Sequence, residues 1–392
     1  LITEYSLNIV LTLEKLSIGG STVLTFLNTA SAHDDLLIFL NILKNYIDAI
    51  DMCEYTDLLN RISARAKNTL LIDRDIIDGK VVPVISGSTV KGVFRSAFEK
   101  MILEKIIDHR RNLLANASLV KEINNIITRD QAYRVLIAGL IRDILRHYTM
   151  DDENNPYKNI ADNVLASYIL AISPYTCLST LTEFSCSFPQ NTLRMKFFNE
   201  LNKKLINNED DVYGCIEDNG VRHCLPINYS CVTCSLFGVQ GYLSIPRFRT
   251  FRINCSESKI VTFNRIFTKK RVVIPFNIEI LDGPVKARGI IELVIDPRRV
   301  RDLLELSYLK YIRSDDKVLN KDIAKAVEVL VISAHDGRYE DIVNNTIQLY
   351  KILFDKILRY LKDSGARLGI GFGRRRKIGF GRIIDYKIDE EA

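Results

Sequence analysis

The sequence predicts an α+β protein with a central antiparallel sheet, and three observations carry that expectation. Tyr5, Leu7, Ile9, Leu11 and Leu13 alternate at period two, the pattern of a half-buried strand. From Gly241 onward the runs YLSIPRFRTFRI, KIVTFNRIF, RVVIPFNIEI and KARGIIELVI follow one another as strand-like segments. Before and after these runs the apolar residues recur at intervals of three and four, which is helical spacing. Strands grouped together, with helices grouped on either side, is the α+β order rather than the alternating one.

The bulk properties set limits. A chain of 392 residues favours two lobes, or one domain with large insertions. Hydrophobic residues make up 47%, which is ample for a core, and the net charge of +6 is mild, so the placement of the cations matters more than their sum. No run reaches the length of a membrane span. Leu1 to Leu13 alternates in a way unlike a signal peptide, and the expected location is the cytoplasm. There the eight cysteines are expected to be reduced, buried or metal-bound.

The elements follow in order. The first strand stops at Gly19-Gly20. An amphipathic helix is predicted from Asp34 to Ile62 on Leu36, Phe39, Leu40, Leu43, Ile47 and Ile50. The segment from Ile72 to Thr89 reads as turn-rich. A helix then starts after Gly87, capped by Ser88 or Thr89, with Val90, Phe94, Ala97 and Met101 on its apolar face. More helix is predicted over 118–147, 160–172 and 192–206, followed by a loop rich in Cys, Asn and Asp as far as Cys234. After the strand runs, helices are predicted over 297–309, 321–334 and 339–363. The segment SGARLGIGFGRRRKIGFGRI follows, leading into a final strand that can pair with the first.

Four segments are candidates for chemistry. The first, VISGSTVKGVFRSAF, runs from a strand through a small-residue turn into a helix start, where backbone N–H groups suit a phosphate. Ser86, Gly87, Ser88 and Thr89 form the turn, and Lys91 and Arg95 share one helical face. An ordinary capped helix with two solvated cations explains this segment equally well. The second, PRFRTFRI, alternates Arg247 and Arg249 with Phe248 and Phe251, as an RNA-contacting sheet face would, or as any amphipathic strand would. The third is the basic knot Lys269, Lys270 and Arg271 at an expected hairpin turn.

The fourth is the C-terminal segment, where Gly369, Gly371, Gly373, Gly379 and Gly381 interleave with Arg367, Arg374, Arg375, Arg376, Lys377 and Arg382. Glycine on this scale implies left-handed turns or close approach by a ligand, and the cations imply that the ligand is anionic. Together these basic segments favour an extended single-stranded nucleic acid. The segment leads from a helix into a strand, the reverse of a dinucleotide fingerprint, and no Walker loop occurs.

Among the cysteines, Cys231-x-x-Cys234 has the spacing of half a zinc site. Cys215 and Cys224 are the expected partners, with His223 as a substitute ligand, and a set of reduced buried thiols is the alternative. Cys53, Cys177, Cys186 and Cys255 read as ordinary core residues. The five histidines are scattered and form no acid–base constellation.

Taken in order, LSIGG, VISGSTVKGVFRS, CVTCSLFG, the strand run after it and GIGFGRRRKIGFGRI resemble the RAMP superfamily of CRISPR-associated proteins. Within it they resemble the backbone subunits of type III (Csm-like or Cmr-like) effector complexes. The resemblance implies a ferredoxin-like (RRM-like) core spanning 1–107 and 235–392, with a thumb-like hairpin. It also implies a mainly helical insertion, or lid, over 108–234. It implies a ribonucleoprotein subunit of antiviral defence that holds CRISPR RNA and helps position target RNA, beside other RAMP subunits and the large subunit. Lys91 and Arg95 match positions that contact guide phosphates in such subunits, and the C-terminal glycines and arginines match the family's RNA-facing loop.

Slicing members carry an Asp shortly before the turn motif. Aligning Arg74-Asp75 on that pattern puts Thr69, Lys67 or Asn68 at its place, and none of these is a carboxylate. The expectation is a binding subunit that does not cut, with structural zinc as the candidate metal beside the alternative of reduced buried thiols. An endoribonuclease, either a target slicer or a guide-maturation enzyme, is the alternative. Asp73 is the nearest carboxylate, and a divalent metal is expected only if the protein cleaves RNA.

Overall fold

The structure is a computed structural model. It describes residues 2–17, 69–70, 72–77, 80–108, 172–177, 186, 215–218, 221–224, 230–238, 244–254, 258–267, 272–368 and 381–390. The helices expected over 34–62, 118–147, 160–172 and 192–206 lie outside these residues, apart from Ile172. So do the basic knot at 269–271 and the glycine-rich stretch 369–380.

An antiparallel sheet organises the fold, as the sequence predicts. β1 (Thr3–Leu13) buries Leu7, Ile9, Leu11 and Leu13 on one side. It pairs antiparallel with β12 (Ile383–Glu390), from Leu7 opposite Glu390 to Leu13 opposite Ile383, with a bulge at Thr12/Leu13. The first and last strands are therefore neighbours. On the other side of β1 lies β11 (Val285–Ile295), which buries Val285, Ala287, Ile291, Leu293 and Ile295. The order continues through β8 (Phe251–Ile253) and β4 (Lys80–Ile85) to β3 (Arg74–Ile77), with β7 (Pro246–Phe248) also pairing with β11.

A second sheet holds a long hairpin, β9 (Ser258–Phe267) and β10 (Val272–Leu281), in continuous register from Phe267 opposite Val272 to Ser258 opposite Leu281. The short β2 (Thr69–Leu70) joins β10 in parallel. β5 (Cys215–Asp218) and β6 (Val221–Cys224) form a third, two-stranded sheet.

Two parts of this pattern differ from the sequence reading. The turn-rich segment before the first described helix contains the hairpin β3–β4, in which Ile77 pairs with Lys80. The run PRFRTFRI is two strands rather than one, because β7 ends at Phe248 and β8 begins at Phe251. Arg249 lies in the link between them, where its N–H donates to the Ile290 carbonyl at 3.0 Å.

The helices obey their capping chemistry. α1 (Gly87–Asp108) starts directly after Ser86, whose Oγ accepts the Thr89 N–H at 3.3 Å. The cap is thus Ser86, not the expected Ser88 or Thr89. α2 (Val232–Phe237) is a short buried helix. α3 (Pro297–Glu305) opens with Pro in its first turn and Asp296 accepting the Arg298 N–H, a favourable start on both counts. It stops short of the predicted end at 309, and a 3-10 turn over Tyr308–Tyr311 follows. α4 (Lys321–Asp336) is capped by Asn320 and buries Ile323, Ala324, Val327 and Leu330 at helical spacing. α5 (Tyr339–Leu368) continues past the predicted end at 363, so the backbone of Arg367 is helical rather than part of a loop.

The chain forms two compact units. One comprises Leu1–Tyr5, Phe94–Arg247 and Leu293–Ile357, and the other Ser6–Val93, Phe248–Glu292 and Leu358–Ala392. The first has an aromatic core. Phe94 meets Phe354 edge-on at 5.5 Å, Phe98 meets Phe237 at 5.8 Å, and Tyr350 donates to the Leu236 carbonyl at 3.0 Å. In the second unit the Leu16 and Leu281 backbones exchange hydrogen bonds, and the fully buried Glu279 carboxylate accepts the Ile72 N–H at 2.8 Å.

Candidate functional site

The cysteine site is built by short-range backbone geometry. Cys231 caps α2, and its Sγ accepts the Cys234 N–H at 3.4 Å. One turn therefore sets both sulfurs on the same side of the helix. The segment 172–177 is stitched to this turn. Val232 donates to the Pro174 carbonyl at 3.0 Å, and Thr233 donates its N–H and its hydroxyl to the Tyr175 carbonyl at 2.9 and 2.8 Å. That stitching delivers Cys177, whose Sγ lies 3.3 Å from the Cys234 Sγ. Cys186 completes the group by accepting the Cys231 N–H at 3.4 Å.

The four sulfurs of Cys177, Cys186, Cys231 and Cys234 lie within 4.8 Å of one another. Tetrahedral zinc holds thiolates at roughly 2.3 Å, which spaces the sulfurs roughly 3.8 Å apart. The all-thiol donor set and its dimensions suit that ion. The cluster shares Cys231 and Cys234 with the expected ligand set and takes its other two members from elsewhere in the chain. Cys177 and Cys186, read from sequence as ordinary core residues, stand in the cluster with Cys231 and Cys234. Cys215 and Cys224 face each other across the β5–β6 ladder, with His223 opposite Ile216, and their side chains lie outside the described residues.

Arg95 reaches into this group. It projects from α1 with only 13% of its side chain exposed. Its Nε donates to Glu99 Oε1 at 3.1 Å, one terminal nitrogen donates to the Gly238 carbonyl at 2.9 Å, and the other lies 3.2 Å from the Cys234 Sγ and 4.0 Å from the Cys177 Sγ. Burial opposes the guanidinium charge. The negative character of Cys234, Glu99, Cys177 and Cys231 outweighs burial and holds the pKa above its ordinary value. Burial pushes the Cys231 thiol well up. At Cys177 the contact with Cys186 also acts upward, but hydrogen bonds from Cys231 and Cys234 pull that thiol down. Contacts with Cys177 and Cys186 push the Cys234 thiol well up too, so of these three thiols only Cys177 is drawn down toward its thiolate beside the buried cation.

The polar turn before α1 has a different build. The Ser86 hydroxyl lies 3.1 Å from the Ser88 hydroxyl and 2.9 Å from that of Thr89. A Cβ on Gly87 would fall 2.0 Å from the Phe248 carbonyl oxygen, so only glycine allows β7 to approach this closely. Ser88 is exposed, and Lys91 is half-buried and engaged in contacts of its own. Arg247 and Arg249 are exposed, and Arg249 makes a two-pronged pair with Glu292 at 2.8 and 2.7 Å.

Asp73 is half-buried, and its carbonyl accepts the Val84 N–H at 2.8 Å. Gly381 has φ 69°, the left-handed region that favours glycine, and the Arg382 carbonyl accepts the Glu14 N–H at 2.9 Å. Among the described residues the Arg382 Nε, though buried, has no hydrogen-bond partner. The Arg367 side chain and residues Lys269, Lys270, Arg271, Gly369, Gly371, Gly373, Arg374, Arg375, Arg376, Lys377 and Gly379 lie outside the described set. No helix among the described residues is long and apolar enough to cross a membrane.

An antiparallel sheet with helices, a strand passing into a helix at Ser86–Gly87, and a glycine-rich segment leading into the last strand define an α+β protein consistent with the ferredoxin-like plan. The family model of the RAMP superfamily matches residues 18–384, and the chain belongs to that superfamily. It is therefore a CRISPR-associated protein of an RNA-binding family. No curated protein matches the chain.

Proposed function

We infer that this protein is a CRISPR RNA-binding subunit of a type III interference complex. It holds the guide, helps position target RNA, and does not itself slice. The observation that carries the reading is the family match over residues 18–384, and the turn Ser86–Thr89, with its linked hydroxyls and its glycine-tight junction with β7, supports it. In this reading an RRM-like core of 1–107 and 235–392 carries the insertion 108–234. The guide phosphates meet the α1 turn with Lys91, the arginines Arg247 and Arg249, the basic knot at 269–271, and the C-terminal glycine–arginine segment. The partners are other RAMP subunits and the large subunit, in the cytoplasm. The four-cysteine cluster holds a structural zinc that fixes α2.

The test is to extract and sequence the nucleic acid from protein purified with its native partners. Short RNAs with a repeat-derived end and varied spacers are expected. RNA of unrelated sequence would reduce the protein to a general single-strand binder. Regular cuts in target RNA that require a divalent metal and vanish in Asp73→Ala would replace this reading with that of a slicer. Cleavage of repeat RNA in EDTA would replace it with that of a maturation nuclease.

A further inference from the structure

We propose that Arg95 is the outer positioning residue of a tetrathiolate zinc centre formed by Cys177, Cys186, Cys231 and Cys234, rather than a contact for guide phosphate. The proposal rests on the zinc part of the reading above and is independent of its RNA part. Three observations support it. First, the guanidinium is already committed: Glu99, Gly238 and Cys234 each take one of its nitrogens, all within 3.2 Å, and the fork points into the protein. A phosphate would have to break those contacts and draw out a side chain that is 13% exposed.

Second, the charges match. Zinc with four thiolates carries a net charge of −2, and thiolate ligands are held and oriented by hydrogen-bond donors in the surrounding shell. Arg95 supplies such a donor at 3.2 Å from the Cys234 Sγ, and its charge reduces that of the centre. Third, the donor is aimed from behind. Glu99, 1% exposed, grips Nε one helical turn along α1, while the Gly238 carbonyl at the end of α2 takes a terminal nitrogen. One planar fork thus ties the ligand turn Cys231–Gly238 to α1. A lysine brings the same charge but a single nitrogen, which cannot serve three acceptors in this geometry.

The experiment uses the full chain with its native partners. Bound metal is measured by mass spectrometry, and the rate of zinc transfer to a chelator is followed in wild type, Arg95→Lys and Glu99→Gln. Wild type is expected to carry zinc. Arg95→Lys is expected to hold it about 10–100-fold less tightly, the usual loss when a ligand's supporting contact is removed. In cobalt-substituted protein the thiolate-to-metal charge-transfer band should shift as Cys234 loses its donor. Glu99→Gln leaves Arg95 in place and keeps the test open if the lysine variant does not fold. It should release zinc faster than wild type but more slowly than a properly folded Arg95→Lys.

Wild type with zinc, and variants with unchanged release rates and cobalt spectra, would overturn the role given to Arg95 and leave the zinc site standing. Wild type without metal would overturn both. Absence of guide RNA from the same preparation would bear on the RNA reading alone, because none of these readouts depends on it.

Discussion

Arg95 and Arg249 are the same residue type, and both belong to segments that read as RNA-contacting, yet the fold uses them in opposite ways. Arg95 is enclosed, with its guanidinium divided among a carboxylate, a carbonyl and a sulfur. Arg249 is 59% exposed and makes its two-pronged pair with Glu292, itself partly exposed. A buried cation with full hydrogen bonding holds a structure in place, because removing it strands its partners. An exposed ion pair contributes little to stability, and its charge stays available to a passing anion. A basic residue in a nucleic-acid-binding family is therefore not a contact by virtue of its charge; its enclosure decides.

The strongest way to break this comparison is to neutralise the enclosed cation. Arg95→Met breaks the buried ion pair with Glu99, and the loss should be about 3–5 kcal/mol in a denaturant titration. A loss below about 1 kcal/mol would mean that Arg95 behaves like a surface residue after all. The next effect belongs to the junction of the other unit. Gly87→Ala sets a methyl 2.0 Å from the Phe248 carbonyl oxygen, so β7 or α1 must shift, at a cost of about 1–3 kcal/mol. Ser86→Ala should cost about 1 kcal/mol, because the Thr89 N–H loses its acceptor. Thermal melts that rank the three variants otherwise would show that the motif before α1, not the cysteine region, bears the greater structural demand.

Parts of this arrangement are legible in the sequence and parts are not, for physical reasons. Period two in β1 and the apolar stripe of α1 are local signals, and the pairing of β1 with β12 follows once both are read as strands at the chain ends. The hairpin β3–β4 is also written locally. Between Ile77 and Lys80 the sequence reads Asp78-Gly79, a strong two-residue hairpin signal, but the many turn-forming residues around it hide that signal. Half of the cysteine cluster is legible, because Cys231 and Cys234 lie one helical turn apart. Cys177 and Cys186 precede them by 57 and 45 residues, counted from Cys234 and Cys231, and no spacing rule links such distant positions. The enclosure of Arg95 is hidden for the same reason, since its carbonyl and sulfur acceptors lie 143 and 139 residues away.

The smallest expected stability effect gives the sharpest functional contrast. Arg249→Ala should change folding stability by no more than about 1 kcal/mol, because an exposed pair gains little over water. If Arg249 exchanges Glu292 for a phosphate when RNA arrives, the same variant should make the log–log salt dependence of single-strand binding shallower by about 0.7, the value of one phosphate. Glu292→Gln is the opposite probe. It removes the competing carboxylate, keeps the cation, and should tighten RNA binding at low salt, with the gain fading as salt screens the charge. A Glu292→Gln protein that binds RNA no better than wild type would mean that the Arg249–Glu292 pair persists in the complex. Arg249 would then be a strut between β11 and the link joining β7 to β8, and exposure alone would not mark a cation as a contact.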